Sequence, residues 1–185
     1  MSHRIVWAAL VAAVVGSVAA VHGQMFTLGP HADEVKRFVG TWKVEGTLKP
    51  IEATGATDSG PVSYTQVGTL VNDGAILQVR RTGTGPRGPV EELWLYSYNP
   101  LTKTYRMDAT TGRSLVRNFT FTIRNNVWSF TGTNTNPAGV TTLERFVFTF
   151  GADGASATVR SEHSVDGRTW FERLTGTYTR VSAGS

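Results

Sequence analysis

Apolar and polar side chains alternate along residues 41–48, and this is the first clear pattern in the chain. Trp42, Val44 and Leu48 fall on one face, whereas Lys43 and Glu45 fall on the other. A period of two is typical of a strand with one buried face. The alternation therefore predicts a half-buried β-strand over these residues.

A helical pattern precedes this strand. Between Pro30 and Gly40 the apolar residues recur with helical spacing; they are Ala32, Val35, Phe38 and Val39. Proline suits the first turn of a helix and glycine suits its end. The segment predicts a short helix directly before the first strand.

Nine more strands are predicted after the first. Turn signals separate them, such as Asn72-Asp73-Gly74 and Asn125-Asn126, and residues 49–62 are rich in turn formers. The predicted strands span residues 63–71, 75–82, 90–98, 103–110, 115–123, 127–132, 141–150, 155–164 and 169–180. Because no long helical pattern lies between them, we predict an all-β fold: an antiparallel up-and-down closed β-barrel of about ten strands with a short N-terminal helix.

The first residues have the layout of a secretory signal. A short basic start, an apolar run and a polar end follow one another in residues 1–23. The apolar run of about sixteen residues is short for a membrane span, although an uncleaved anchor is the alternative. We predict a signal peptide at 1–23, a barrel domain at 24–185 and export to the periplasm or the medium. The chain has no cysteine, so disulfides do not contribute to its stability.

Charge and motifs exclude several classes of function. The formal net charge is +4, but the basic residues are scattered and form no stripe for nucleic acid. Once the signal is removed, no membrane partner is expected. The common catalytic motifs for hydrolases, metalloproteases and phosphate binding are absent from the sequence. An acid–base pair requires the fold to bring together two of Asp108, Glu144, Glu162, Glu172 and His163.

The order of elements resembles the calycins, the superfamily of lipocalins and fatty-acid-binding proteins. Gly40-Thr41-Trp42 matches the first-strand signature of that superfamily, and Arg180 stands where its last strand carries a basic residue. The resemblance implies that Arg180 packs across the Trp42 indole as a cation–π contact when the barrel closes. Gly40, Trp42 and Arg180 are therefore predicted to be structural residues.

A closer resemblance is to an uncharacterised bacterial calycin-like family. It is carried by Gly40-Thr41-Trp42 with Glu45-Gly46, by Tyr98-Asn99-Pro100, and by the segment from Ser164 to Trp170 that leads into Tyr178-Thr179-Arg180. This resemblance implies a fold and no particular reaction.

Aromatic stripes are the candidate ligand-binding residues. Small barrels hold one small ligand or fill their interior with side chains, and both alternatives remain open here. The predicted lining residues are Trp94, Tyr96, Tyr98, Phe146, Phe148, Phe150 and Tyr178. We expect a small hydrophobic or amphipathic ligand, anionic ones included, and no cofactor. A filled barrel that acts through its surface is the alternative.

The last strand and its neighbour carry the remaining candidates. Alternation places Trp170, Glu172, Leu174, Tyr178 and Arg180 on one face of the last strand. Alternation also places His163 on the face of Val159 and Ser161. The chain resembles the haem-binding nitrobindins at its first strand, which implies haem with His163 as axial ligand as a further alternative.

Overall fold

The computed structural model describes residues 27–111, 116–135 and 139–182 of the 185-residue chain. The predicted signal peptide at 1–23 and the first residues of the predicted domain lie outside the described residues. Both boundaries therefore stay predictions.

Within the described residues the fold has one short α-helix, ten strands and two 3₁₀ turns, the second of which spans Glu52–Thr54. The helix α1 spans Ala32–Val35, and a 3₁₀ turn over Lys36–Phe38 continues it. The strands are β1 Gly40–Leu48, β2 Gly60–Val71, β3 Ile76–Gly85, β4 Gly88–Asn99, β5 Thr104–Thr111, β6 Val116–Arg124, β7 Val127–Thr135, β8 Thr141–Phe150, β9 Ser156–Ser164 and β10 Phe171–Ser182.

The strands form a closed antiparallel barrel in which each strand pairs with its neighbours in the chain and β1 pairs with β10. This confirms the predicted fold class. Tight turns set several registers, because Asn72, Asp73 and Asn125 have φ values of 51°, 55° and 54°, in the left-handed region that hairpin turns require. Closure satisfies the backbone groups that an edge strand would expose.

The two ends of the barrel differ in how they are filled. At the end carrying α1, which we call the helix end, Phe38 inserts into the barrel and is fully buried. Its ring lies 5.1–6.1 Å from six other aromatic rings; they belong to Trp42, Tyr96, Trp128, Phe148, Phe150 and Tyr178. Aromatic rings pack edge to face at such distances. The helix end is therefore a filled core.

The face predicted for the last strand requires a correction. The register between β10 and β9 shifts between Glu172 and Leu174, and Trp170 precedes the strand. Arg173 is buried, whereas Glu172 forms ion pairs with Lys49 and Arg160 on the outside. A β-bulge places an extra residue in one strand and thereby interrupts the alternation. Glu172 and Tyr178 consequently do not share one face.

Candidate functional site

In the half of the barrel opposite the helix end, the described residues pack less completely. Tyr64, Trp94 and Leu174 point into this half of the barrel. Their side chains pack against the core but are only partly buried. We call this half the cup. Its inward-facing side chains are Tyr64, Arg81, Glu92, Trp94, Arg117, Phe119, Glu144, Phe146, His163 and Leu174.

Arg81 is the central charged group of the cup. Its guanidinium carbon lies 4.5 Å from the centroid of the Tyr64 ring and 4.3 Å from that of Trp94. Its Nη1 donates to Oε2 of Glu92 at 2.9 Å. The same carboxylate oxygen accepts a hydrogen bond from the Trp94 indole at 3.1 Å. Stacking on two rings and one ion pair fix the guanidinium, and its charge is balanced by Glu92.

Several unpartnered polar groups of the described residues lie where the cup meets the filled core; others are Nε of Arg117 in the cup and the indole nitrogens of Trp42 and Trp128 in the core. At this boundary, three side chains within the described part of the chain have buried polar atoms without a hydrogen-bond partner. These atoms are Nε of Arg81, the amide nitrogen and oxygen of Gln66, and the hydroxyl oxygen of Tyr96. Gln66 and Arg81 are directly opposite each other on β2 and β3. A buried polar group without a partner costs about 1–3 kcal/mol. We call this set, Gln66, Arg81 and Tyr96, the cup floor.

Two phenols share the surroundings of Arg81. Burial raises the pKa of Tyr178 to about 12, and burial raises the pKa of Tyr96 well above its usual range. The positive charge of Arg81 acts in the opposite direction on both phenols. Both hydroxyls therefore stay protonated at neutral pH and can donate hydrogen bonds.

A second polar cluster lies on the β8–β9 side of the cup. The buried carboxylate of Glu144 accepts a hydrogen bond from Nδ2 of Asn134 at 3.0 Å and lies 3.3 Å from Nε2 of His163. Arg117 approaches the same carboxylate at 3.9 Å. Burial lowers the pKa of His163, and Glu144 only partly opposes this. The fold thus brings together two of the candidate acid–base residues, Glu144 and His163.

The loop between β1 and β2 forms part of the rim of the cup. Arg173 donates to the backbone oxygens of Lys49 and Asp58 and, at 2.6 Å, to the Asp58 carboxylate. Arg87, in the β3–β4 turn, reaches the same carboxylate at 2.6 Å. The pKa of Asp58 lies below its usual range: burial alone would raise it, but the hydrogen bond from Arg87 and the charges of Arg173 and Arg87 outweigh that effect. These hydrogen bonds therefore hold residues 49–59 in place at the rim of the cup.

The predicted lining residues fall into three groups. Tyr96, Phe148, Phe150 and Tyr178 pack around Phe38 in the filled core. Trp94 and Phe146 face each other across the cup with ring centroids 6.4 Å apart. Tyr98 lies at the helix end, where its ring contacts Tyr105. Trp94 and Phe146 are thus the predicted lining residues that lie in the cup; Trp94 is partly buried there, and Phe146 is buried and stacks on Phe130.

The predicted contact between Trp42 and Arg180 is present. The guanidinium carbon lies 4.3 Å from the Trp42 ring centroid, and the two residues are directly opposite each other on β1 and β10. Nη1 and Nη2 of Arg180 also donate to the backbone oxygens of Val39 and Arg37, at 2.7 and 2.6 Å. Gly40 begins β1 with a φ of 100°. Arg180 therefore ties the last strand to the turn that precedes β1.

His163 lies on the inner face together with Val159 and Ser161, the residues with which alternation groups it, but its surroundings do not fit haem. Nε2, which would bind the iron, is directed at the Glu144 carboxylate. That carboxylate is in turn held by Asn134. An axial ligand requires a free ring nitrogen that faces the iron. In this arrangement the imidazole is a partner of Glu144.

Several residues of the site were not among the sequence-based candidates. They are Asp58, Tyr64, Gln66, Arg81, Glu92, Arg117, Phe119, Asn134 and Arg173. Alternation from Leu77 and Val79 would have placed Arg81 inside, and the same rule would have placed Gln66 with Tyr64 and Gly68. Arg173 carries no such signal, because the bulge at that position breaks the alternation.

A broad groove also lies on the outer face of β1, β8, β9 and β10, with a volume of about 810 Å³. Its charged residues form ion pairs with one another: Arg145 with Glu162 at 2.6 Å, and Arg160 with Glu162 at 2.9 Å. These charged groups already have ion-pair partners, and the two arginine side chains are partly exposed to solvent. The cup, with its unpartnered buried groups, is therefore the better candidate site.

Comparisons with known proteins support the fold alone. The chain is similar in shape to Rv2717c from M. tuberculosis, known from a crystal structure, with a TM-score of 0.57, 12% sequence identity, and coverage of 83% of this chain and 99% of that chain. The solved structure of EF1p2_mFAP2b bound to DFHBI is a more distant match, with a TM-score of 0.36, 16% identity and coverage of 80% and 98%. No protein-family profile and no curated protein matches the chain. The closed barrel agrees with a calycin-like fold, and the family itself stays a prediction.

Two further findings concern the described parts of the chain. Within residues 27–111, 116–135 and 139–182, no helix is long and apolar enough to cross a membrane. The same residues contain no cluster of three or more histidine, cysteine or acidic side chains placed to hold a metal ion.

Proposed function

We propose that this chain is an exported binding protein that holds one small hydrophobic or amphipathic molecule in the cup. The proposal rests mainly on one observation: the cup floor contains buried polar groups that have no partner among the described residues. A ligand that bonds to these groups would recover the free energy that their burial costs.

The walls of the cup set the character of the ligand. Tyr64 and Trp94 are the partly buried aromatic side chains of the cup, and Leu174 adds a partly buried aliphatic one; Phe119 and Phe146 are buried in the core beside Trp94. Rings bury a large apolar area and contact flat ligands well. A largely apolar body with one or two polar groups is therefore the best match.

Export is the part of this proposal that rests on the sequence alone. Residues 1–23 have the layout of a cleaved signal, and the chain lacks cysteine. N-terminal sequencing of the protein recovered from the periplasm or the medium would test it. A mature chain that starts within a few residues of position 24 is expected, whereas an intact residue 1 would contradict cleavage.

Tryptophan fluorescence tests binding in the cup. Titration with a panel of fatty acids, aromatic amphiphiles and the dye ANS is expected to change the emission and to saturate near one ligand per chain. The change should be lost in Trp94→Phe, because Trp94 forms a wall of the cup. It should persist in Trp170→Phe, because Trp170 lies outside the barrel in the turn before β10 and packs on Arg145.

The panel also separates the alternatives. No response from any amphiphile would contradict the proposal and favour a barrel that acts only through its surface. A Soret band on titration with hemin that disappears in His163→Ala would instead favour haem. Native mass spectrometry of protein purified from its own host would give the mass of a retained ligand.

A further inference from the structure

We propose that the cup floor recognises a neutral amide group, with a carbonyl beside an N–H, as in a primary amide, a lactam or an imide, carried on a flat apolar body. This inference rests on the proposed function and names the class of ligand. It follows from the number, type and charge of the unpartnered groups on the cup floor.

Gln66 supplies a hydrogen-bond donor and an acceptor that can pair with the amide of a ligand. Its side chain is 1% exposed, and within the described part of the chain neither its amide nitrogen nor its amide oxygen has a hydrogen-bond partner. A primary amide offers a donor and an acceptor side by side. The group that satisfies both atoms at once is one that presents an acceptor beside a donor, such as another amide.

Arg81 supplies one more donor at the same place. It lies directly opposite Gln66 in the sheet, and its Nε–H has no partner among the described residues. A carbonyl oxygen has two lone pairs. One carbonyl of the ligand can therefore accept from the Gln66 nitrogen and from Arg81 together, while the ligand N–H donates to the Gln66 oxygen.

The charge balance favours a neutral ligand over an anion. Glu92 already compensates Arg81, and the Trp94 indole holds the same carboxylate oxygen in place. A ligand carboxylate bound at Nε would lie close to Glu92 and leave one excess negative charge in a buried site. Burial of such a charge is costly, whereas a neutral amide adds none. This argues against an anionic ligand.

The walls fit the rest of such a molecule. Trp94 and Phe146 face each other across the cup, and Tyr64 covers the opposite side of Arg81. A ring attached to the amide would lie against the partly buried rings of Tyr64 and Trp94, above the cup floor. Tyr96, whose hydroxyl is unpartnered within the described ranges, offers a further hydrogen bond at the boundary.

Three matched compounds test this inference: 2-naphthamide, 2-naphthoate and 2-methylnaphthalene. They share one ring system and differ only in the attached group, and their affinities are measured by isothermal titration calorimetry at pH 7.5. Because the amide forms about three hydrogen bonds that methylnaphthalene lacks, and buries no charge as naphthoate does, it should bind at least about tenfold more tightly than either of the others.

Two variants assign the preference to the named residues. Gln66→Leu removes the amide and keeps the size of the side chain, so naphthamide should lose its advantage over methylnaphthalene. Thr65→Val, on the outward face of the same strand, is the matched control and should keep the advantage. Glu92→Gln leaves Arg81 uncompensated, so the ratio of naphthoate to naphthamide affinity should rise by about tenfold or more. Thermal unfolding of each variant shows whether it is folded.

The results distinguish the inference from the proposed function. Tighter binding of naphthoate than of naphthamide, or an advantage for naphthamide that survives in Gln66→Leu, would overturn the amide site and leave ligand binding in the cup intact. Binding of ANS or fatty acids without any binding of naphthamide would also overturn the amide site and leave ligand binding in the cup intact. If none of these compounds binds, both proposals fail.

Discussion

Arg180 is one side chain that connects three parts of the molecule. It lies over the Trp42 ring and donates to the backbone oxygens of Val39 and Arg37. Charge-assisted hydrogen bonds contribute about 1.5–3 kcal/mol each, and a cation–π contact contributes about 0.5–2 kcal/mol. Arg180→Met keeps most of the apolar stem but loses all of these contacts. We expect the free energy of unfolding to fall by about 2–4 kcal/mol, measured by urea denaturation.

Arg160→Met is the matched control for this prediction. Arg160 also makes two ion pairs, with Glu162 and Glu172, but its side chain is 60% exposed. Exposed pairs contribute about 0–1 kcal/mol because water and salt screen them. Equal losses of unfolding free energy in the two variants would mean that the contacts of Arg180 stabilise the closed barrel no more than an exposed ion pair does.

His163 makes stability depend on pH. Its pKa is lowered by burial and, to a smaller extent, by the positive charges of Arg117 and Arg173, while Glu144 opposes the shift. Near its ordinary pKa of about 6.5, the unfolded chain therefore binds more protons than the folded chain. The stabilisation is complete above about pH 6.5 and is lost as the pH falls toward the lower folded pKa.

Urea denaturation between about pH 7.5 and about pH 5.5 checks this prediction. The wild-type protein should lose stability over this range, and His163→Gln should lose less, because glutamine takes up no proton. Asp58 and Glu172 also have lowered pKa values, but their ordinary values of 3.8 and 4.5 place their contribution below this range. Parallel curves for wild type and variant would show that His163 is not the titrating group.

Alternation along single strands predicted much of this residue-level picture. It grouped Phe146, Phe148 and Phe150 on one face, and it grouped His163 with Val159 and Ser161; both faces point into the barrel. It did not show which inner positions would be packed and which would line an open space, because that depends on where Phe38 inserts. The pairing of Glu144 with His163 likewise depends on the register between β8 and β9.

At the scale of elements, Gly68 sets how closely α1 and its 3₁₀ turn approach the barrel wall. A Cβ at Gly68 would lie 1.9 Å from the backbone oxygen of Phe38, at the point where Gly40 and Gly68 face each other on β1 and β2. Gly68→Ala must therefore displace the backbone that holds Phe38 in the core. We expect a loss of about 3 kcal/mol in the free energy of unfolding, measured by thermal or urea denaturation.

Gly85→Ala is the control at the element scale. A Cβ there would meet its nearest neighbour, Val90, at an ordinary 3.5 Å. Its effect should stay within about 0.5 kcal/mol. An equally small loss of unfolding free energy in Gly68→Ala and Gly85→Ala would contradict the prediction. It would show that the backbone at Phe38 can shift without disturbing the core.

The elements themselves were largely predictable, and the exceptions have a physical cause. Short strands separated by tight turns gave ten strands and their order, since hairpins join neighbours in the chain. The bulge at Arg173 was not predictable, because it depends on the bond between that side chain and Asp58 in the distant β1–β2 loop. Contacts between residues so far apart in the chain leave no periodic signal in the sequence.

For the whole molecule, the contrast between the two ends implies a direction of access. The helix end is closed by Phe38 and the rings around it, whereas the described residues at the opposite end leave Tyr64 and Trp94 partly exposed. A ligand should therefore reach the cup floor past the β3–β4 turn and the β1–β2 loop, and not past the β4–β5 turn at the helix end.

The absence of cysteine from the chain makes this route testable. Pro86→Cys places one thiol in the exposed β3–β4 turn at the mouth of the cup, and Leu101→Cys places one at the helix end, where Leu101 is 84% exposed. Each variant is labelled with a bulky maleimide-polyethylene glycol, and the association rate of the uncharged dye N-phenyl-1-naphthylamine is followed by stopped-flow fluorescence. Because the label obstructs only the end that carries it, the rate should fall severalfold for labelled Pro86→Cys and stay near the wild-type value for labelled Leu101→Cys. The reverse pattern would place the access route at the helix end and would require Phe38 to move aside when a ligand binds.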